Sequence, residues 1–215
     1  MPGPRAIGHV ALLGDSIFDN ASYVPGEPPV VEQLRAALPK GWNASLLAVD
    51  GASAADVHEQ LERLSGDETH LFVSVGGNDA LNASHILTAN VRTVAEAQDL
   101  VEQAQALFRR EYEALARAVS RRPRPAVFCT VYDAIPGLGE AARVALTAFN
   151  DIILRTSFRS HAPVIDLRLV CDAAADYSTI SPIEPSSRGG AKIAQVIAVV
   201  ARDHDFSASR SVVYP

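Results

Sequence analysis

The sequence predicts an α/β fold, a three-layer α/β/α sandwich built on a doubly wound parallel sheet of about five strands. Short, β-rich and almost continuously apolar runs recur along the chain, and amphipathic helical stripes fall between them. The length sets the scale. A chain of 215 residues fits a single domain, residues 1–215, and folding at that size buries roughly 70% of the unfolded surface without staples.

The apolar runs are His9 to Leu13, Leu46 to Val49, Leu71 to Val75, Ala126 to Val131 and Val164 to Leu167, bounded by Gly, Pro or Asp. Continuous rather than alternating hydrophobicity marks strands covered on both faces. Tyr23 to Pro29, rich in Pro and Gly, reads as a loop near the exit of the first strand. Val57, Leu61 and Leu64 form one helical stripe, and Val101, Ala104, Phe108, Tyr112, Leu115 and Val119 form a longer one. The basic cluster from Arg117 to Arg124 reads as the end of that helix: Arg121 and Arg122 complement its dipole, and Pro123 and Pro125 stop it. The last helix places Ile193, Val196, Ile197 and Val200 on one face after Gly189-Gly190. No repeat, low-complexity tract or linker divides the chain.

Composition narrows the function classes. Hydrophobic residues at 48% and charged residues at 20% describe an ordinary soluble globular protein, with no apolar run long enough for a membrane span. A net charge of −6 argues against a broad nucleic-acid surface, which needs clustered Lys and Arg. Two cysteines, Cys129 and Cys171, make neither a disulfide framework nor a metal site. The N-terminus enters a strand almost at once and lacks the basic region, apolar core and cleavage site of a secretory leader. A cytoplasmic address is therefore expected. Asn-Ala-Ser sequons at Asn20, Asn43 and Asn82 are expected to be chance matches in an Ala- and Ser-rich chain.

Polar segments sit where strands end. Gly14-Asp15-Ser16 follows the first run, Asp50-Gly51-Ala52-Ser53 the second and Gly76-Gly77-Asn78-Asp79 the third, while Ser181-Pro182-Ile183-Glu184 lies between the fifth run and the last helix. In a parallel sheet the carboxyl ends of the strands share one edge, where ligands bind. Each segment alone has a structural reading, since Asp and Ser cap helices and Gly-Gly-Asn-Asp makes turns. In combination and in this order they favour a site.

These segments resemble those of the SGNH hydrolases, also called GDSL hydrolases, over the whole chain, and the resemblance implies an SGNH/flavodoxin-like sheet. It implies that Ser16 is the nucleophile, and that the Ser16 and Gly51 N–H groups with the Asn78 amide form the oxyanion hole. Preorganised donors of that kind are each worth about 3 to 4 kcal/mol in favourable cases. The Gly-x-Ser-x-Gly elbow of the α/β-hydrolases is absent. A small-molecule acyl ester is the implied substrate, with deacetylation of a sugar or another small ester within the family's range, and no cofactor, metal, nucleic acid or membrane partner is implied.

The chain departs from the family where the base should stand. Members usually carry Asp-x-x-His before the final helix, and the aligned positions here are Ser181 and Glu184. A Glu with a reference pKa near 4.3 is a weaker base than imidazole at about 6.5, a gap worth about 3 kcal/mol that burial partly closes. An Asp beside Glu184 would repel it, whereas the Ser181 hydroxyl can donate to it, so the expected arrangement is Ser16 as nucleophile, Glu184 as base and Ser181 as its orienter. Glu184 as a cap or as a binder of a substrate cation is the competing role, and His85 is the alternative base. Asp15, Asp19, Asp79 and Glu184 could hold a hard cation, but nothing in their spacing demands it and capping and turn roles are the favoured reading. Arg188 fits either an anionic substrate or the solvent side of the last helix. At the level of function, the alternatives to an esterase are a ligand-binding or regulatory protein that keeps the pocket without turnover, and an acyltransferase.

Overall fold

A computed structural model describes residues 8–208 and 210–215. Residues 1–7, on which the expectation about a leader rests, lie outside them. The elements are β1 (His9–Gly14), α1 (Val30–Ala37), β2 (Asn43–Leu46), α2 (Val57–Glu62), β3 (His70–Ser74), α3 (Gly77–Ala83), α4 (Val94–Ser120), β4 (Ala126–Cys129), α5 (Glu140–Arg159), β5 (Val164–Ile165), α6 (Leu167–Val170), α7 (Ser187–Asp203) and β6 (Val213–Tyr214). They build one six-stranded sheet in the order β2-β1-β3-β4-β5-β6, with every neighbouring pair parallel. The doubly wound α/β class holds, with six strands where about five are expected.

Alternation along β1 shows how both faces are used. Val10 and Leu12 join the core beneath α1 and α7, whereas Ala11 and Leu13 join the core beneath α2, α4 and α5. All four are fully buried. Removing a Leu-sized side chain from water contributes about 1.5 to 3 kcal/mol, so a strand with neither face polar is held by the helix layers on each side. On α4, Phe108, Tyr112, Leu115 and Val119 are buried along one face, as the helical spacing requires.

Some boundaries differ from the sequence reading, for physical reasons. The second strand lies at Asn43–Leu46 rather than at Leu46 to Val49, because it flanks β1 on the sheet edge and only Ala44 is buried. Its apolar continuation leaves the ladder while still tied to it, with Leu47 and Ala48 N–H both donating to Leu12 O at 2.9 Å. The sixth strand is two residues long, and its Val-Tyr pair is too short to stand out as a strand pattern. The loop expected at Tyr23 to Pro29 is present and is followed at once by α1.

The order β2-β1-β3 reverses the direction of winding at β1, which opens a crevice between the carboxyl ends of β1 and β3. Ser16 follows β1 and Asn78 follows β3. The fold therefore brings the candidate residues to a switch point.

Candidate active site

The turn that carries Ser16 is fixed from below by backbone geometry. Gly14 has φ +128°, and a Cβ there would lie 1.7 Å from the Ser74 carbonyl oxygen, so only glycine lets β1 and β3 approach this closely. Buried Gln60 of α2 clamps both backbone groups of Gly14, accepting its N–H at 2.7 Å and donating to its C=O at 2.8 Å. Asp15 N–H then reaches Ser74 O at 3.0 Å, and the Phe18 and Asp19 N–H groups both return to Asp15 O at 3.1 Å. The chain thus winds into a helical turn immediately after Ser16, which is 6% exposed.

The loop after β2 and the start of α3 brace one another. Gly51 adopts φ +82°. Asn78 Nδ2 donates to Ala52 O at 3.0 Å, and Asp79 Oδ2 accepts Ala54 N–H at 3.0 Å. An amide nitrogen carries two hydrogens, so Asn78 keeps one to offer a ligand. Among the described residues, neither the Ser16 nor the Gly51 N–H donates to another backbone group. Donors held in place without protein partners are what an oxyanion hole requires.

Glu184 comes from the irregular segment between β5 and α7. That segment is folded on itself: Ser178 N–H donates to Glu184 O at 2.8 Å, and Glu184 N–H donates to Ser181 O at 3.0 Å. It is anchored from outside by the Tyr132 hydroxyl, which donates to Ile183 O at 2.7 Å, and by Asn20 Nδ2, which donates to Pro185 O at 3.2 Å. The Glu184 carboxyl is 4% exposed, and its Oε2 has no hydrogen-bond partner. Burial pushes its pKa up, and the Ser16 hydroxyl acts against that rise. The two groups face each other without a fully formed hydrogen bond.

Asp15 sits beside this pair. Burial first, and then the charges of Glu184 and Asp79, push its pKa up to about 8, against the hydrogen bond from Ile17 N–H. Asp15 therefore holds a proton at neutral pH, which keeps a second negative charge away from Glu184. Tyr23 donates to Asp50 Oδ2 at 2.8 Å at the exposed rim; that hydrogen bond, aided by partial burial, pushes its hydroxyl up to about 12.

Asp15, Ser16, Asn78 and Glu184 line one cavity of about 110 Å³. Most of the rest of its wall is apolar, contributed by α3, the 3₁₀ turn Ser84–Thr88, the chain after β4 and α5. Gly51 is exposed and is not among the residues of the cavity wall. Ser181 meets Glu184 through its backbone carbonyl, and its hydroxyl makes no hydrogen bond to that carboxyl. His85 sits exposed on the 3₁₀ turn, its Nδ1 against Asn82 O at 2.9 Å, and does not line the cavity.

The other residues weighed from the sequence have structural partners. Asp19 Oδ2 accepts Asp50 N–H at 3.0 Å, Asp15 Oδ1 accepts Ile17 N–H at 3.1 Å, and Asp79 braces Ala54. No cluster of three or more His, Cys, Asp or Glu side chains is placed to hold a metal ion among the described residues. Arg188 pairs with Asp176 Oδ1 at 3.3 Å. Both cysteines are free and buried. No helix among the described residues is long and apolar enough to cross a membrane.

Sequence reasoning missed the residues that position the site. Gln60 does for Gly14 what Asn150 does for Val131, where Oδ1 accepts the N–H at 2.8 Å and Nδ2 donates to the C=O at 2.8 Å. Each is a buried amide among apolar neighbours on one helix face. That is the available signal, because a buried polar side chain must find partners. Asn20, which its sequon gives no reason to single out, is fully buried and ties the α1 N-terminus, through Val30 N–H at 2.9 Å, to the segment after Glu184.

Comparison with known proteins matches residues 12–204 to a family described as GDSL-like Lipase/Acylhydrolase. Among solved structures, an extracellular lipase from Streptomyces rimosus superposes with a TM-score of 0.66 at 19% identity, covering 91% of this chain and 100% of that one. A lipase from a goat rumen metagenome gives 0.71 at 17% identity over 93% and 99%. An acetyl xylan esterase from Geobacillus stearothermophilus gives 0.64 at 15% identity over 93% and 98%. These likenesses support the fold. No curated protein sequence matches the chain.

Proposed function

The chain belongs to the GDSL-like lipase/acylhydrolase family, whose members are generally ester hydrolases, and from that premise we propose that it hydrolyses acyl esters through an acyl-enzyme on Ser16 with Glu184 as the base. One observation carries the reading: Ser16 shares a cavity wall with a buried carboxyl that has an unpartnered oxygen, and with Asn78. The Ser16 oxygen attacks the ester carbonyl while its proton passes to Glu184. Charge gathers on the carbonyl oxygen, and the N–H groups of Ser16 and Gly51 with the free hydrogen of the Asn78 amide stabilise it. Collapse expels the alcohol, which takes the proton back from Glu184. Water then repeats the sequence on the acyl-enzyme and restores both residues.

A carboxylate base requires a raised pKa, and burial supplies it in this site. Asp15 contributes by remaining protonated, so that the negative charge passing from Glu184 to the carbonyl oxygen meets no second carboxylate beside it. Ser181 holds the base through the backbone, its carbonyl fixing the turn that carries Glu184.

The test combines covalent labelling with turnover of p-nitrophenyl esters. Wild type is expected to be labelled at Ser16 by a fluorophosphonate and to turn over, with both lost in Ser16→Ala and turnover reduced in Glu184→Gln. Full activity of Glu184→Gln with inactive His85→Ala would move the base to His85. A second reading, a binding protein without turnover, is favoured by the lack of an imidazole in the cavity wall. It gains support if neither label nor turnover is detected.

A further inference from the structure

The α5 residues at the cavity are Ala142, Ala145, Leu146 and Phe149. Their spacing is i, i+3, i+4, i+7, which is one face of a helix. Ala80 and Leu87, from α3 and the 3₁₀ turn that continues it, stand in the same wall. The alanines keep the groove open, and Phe149, packed on Phe108 with ring centroids 4.9 Å apart, gives it a rigid end. The ionisable side chains of the wall, Asp15 and Glu184, both lie at Ser16.

We infer that this groove selects an ester bearing an unbranched aliphatic chain of about four to six carbons, by analogy with the roughly 150 Å³ apolar cavity that takes benzene; the inference rests on the hydrolase reading above. A sugar driven against the α5 face would strip water from its hydroxyls and replace none of those hydrogen bonds. An alkyl chain loses nothing there and gains burial at each carbon. Leu87 is 42% exposed and extends the apolar wall to the mouth, where such a chain enters.

Two ester series distinguish the half of the ester that carries the chain. p-Nitrophenyl alkanoates vary the acyl side, and alkyl acetates vary the alcohol side. In one of them kcat/KM is expected to rise about fourfold per methylene as far as butyl or hexyl and then to fall. Ala145→Phe is expected to return the optimum to the shortest member, and the milder Ala142→Leu to shorten it, each checked for folding by circular dichroism. A readout free of turnover uses Ser16→Ala, which should bind hexanamide about 250-fold more tightly than acetamide by calorimetry, four methylenes at the same factor each. Labelling at Ser16 with flat profiles in both series overturns the aliphatic groove and leaves the hydrolase reading standing. Preferential hexanamide binding without labelling or turnover does the reverse. Equal binding of the two amides overturns a groove for the acyl side, and equal binding of N-hexylacetamide and N-methylacetamide as well overturns the groove altogether.

Discussion

The two halves of the site are held in different ways. Gly14 to Ser16 extends a central strand, with both backbone groups of Gly14 clamped by Gln60 and its α-carbon pressed against Ser74. Ser178 to Pro185 belongs to no helix or strand apart from an isolated bridge between Tyr177 and Pro185, and depends on anchors from Tyr132 and Asn20. The proposed nucleophile is thus placed by sheet geometry and the proposed base by a folded loop. Sheet geometry leaves little freedom in residue type at Gly14, because a side chain there collides with backbone. The loop fixes its own backbone through its internal hydrogen bonds and leaves the side chain at 184 to be chosen by chemistry.

Substitutions on either side can break or sharpen that contrast. Ser16→Ala should cost about 10⁴-fold or more in kcat, with the melting temperature nearly unchanged; this is measured by initial rates and calorimetry. Gly14→Ala should be the most damaging to the fold, by about 4 kcal/mol or more, read as loss of soluble protein or a collapse in melting temperature. A tolerant Gly14→Ala would show that the strand end is less rigid than the 1.7 Å approach requires.

Asp15 tests the same half through pH. Its folded pKa of about 8 lies above the unfolded value of 3.8, so the folded state holds the proton more tightly. The stability this contributes is fully present below about pH 4 and is lost as pH rises towards 8, of order 3 kcal/mol between pH 5 and 8. Asp15→Asn, which keeps an acceptor for Ile17 N–H, should flatten that slope in urea titrations. An unchanged slope would refute the assignment of the proton to Asp15.

On the other side, Glu184→Gln should lower kcat about 10²-fold or more with little change in stability. In wild type, kcat/KM should fall as pH drops through the raised Glu184 pKa, because the base must be ionised to accept the Ser16 proton. Glu184→His should move that limb towards about 6.5; a limb that stays in place would detach Glu184 from catalysis. The smallest effect expected is that of Gln60→Ala, about 2 kcal/mol in stability from two unpaired backbone groups, with a decrease in kcat because the Ser16 turn loosens. If kcat is unaffected, the clamp serves the fold alone.

The contrast also explains what was legible beforehand. Strands β1, β3 and β4 could be read because their residues are buried on both faces, so the apolar run and the strand nearly coincide. At the edge strand β2 they do not, because a strand with one neighbour and exposed residues carries no such run. That Ser16, Asn78 and Glu184 meet at one cavity was legible from the order of the segments that carry them, each adjoining a recognisable element. Gln60, Asn150, Asn20 and Tyr132 were not, since each acts on a backbone group 10 to 165 residues away, and periodicity carries no information about such partners.

The sequence alone determined the alternation of apolar runs and helical stripes, and hence a parallel sheet with candidate residues at one edge, because burial on two faces leaves a pattern that needs no partner to be seen. Tertiary structure decided what surrounds those residues. Only packing could deprive Glu184 Oε2 of a partner, keep a proton on Asp15 and set an aliphatic face of α5 beside Ser16. Desolvation and cavity shape depend on what the rest of the chain brings near a residue, and no local stretch of sequence contains that information.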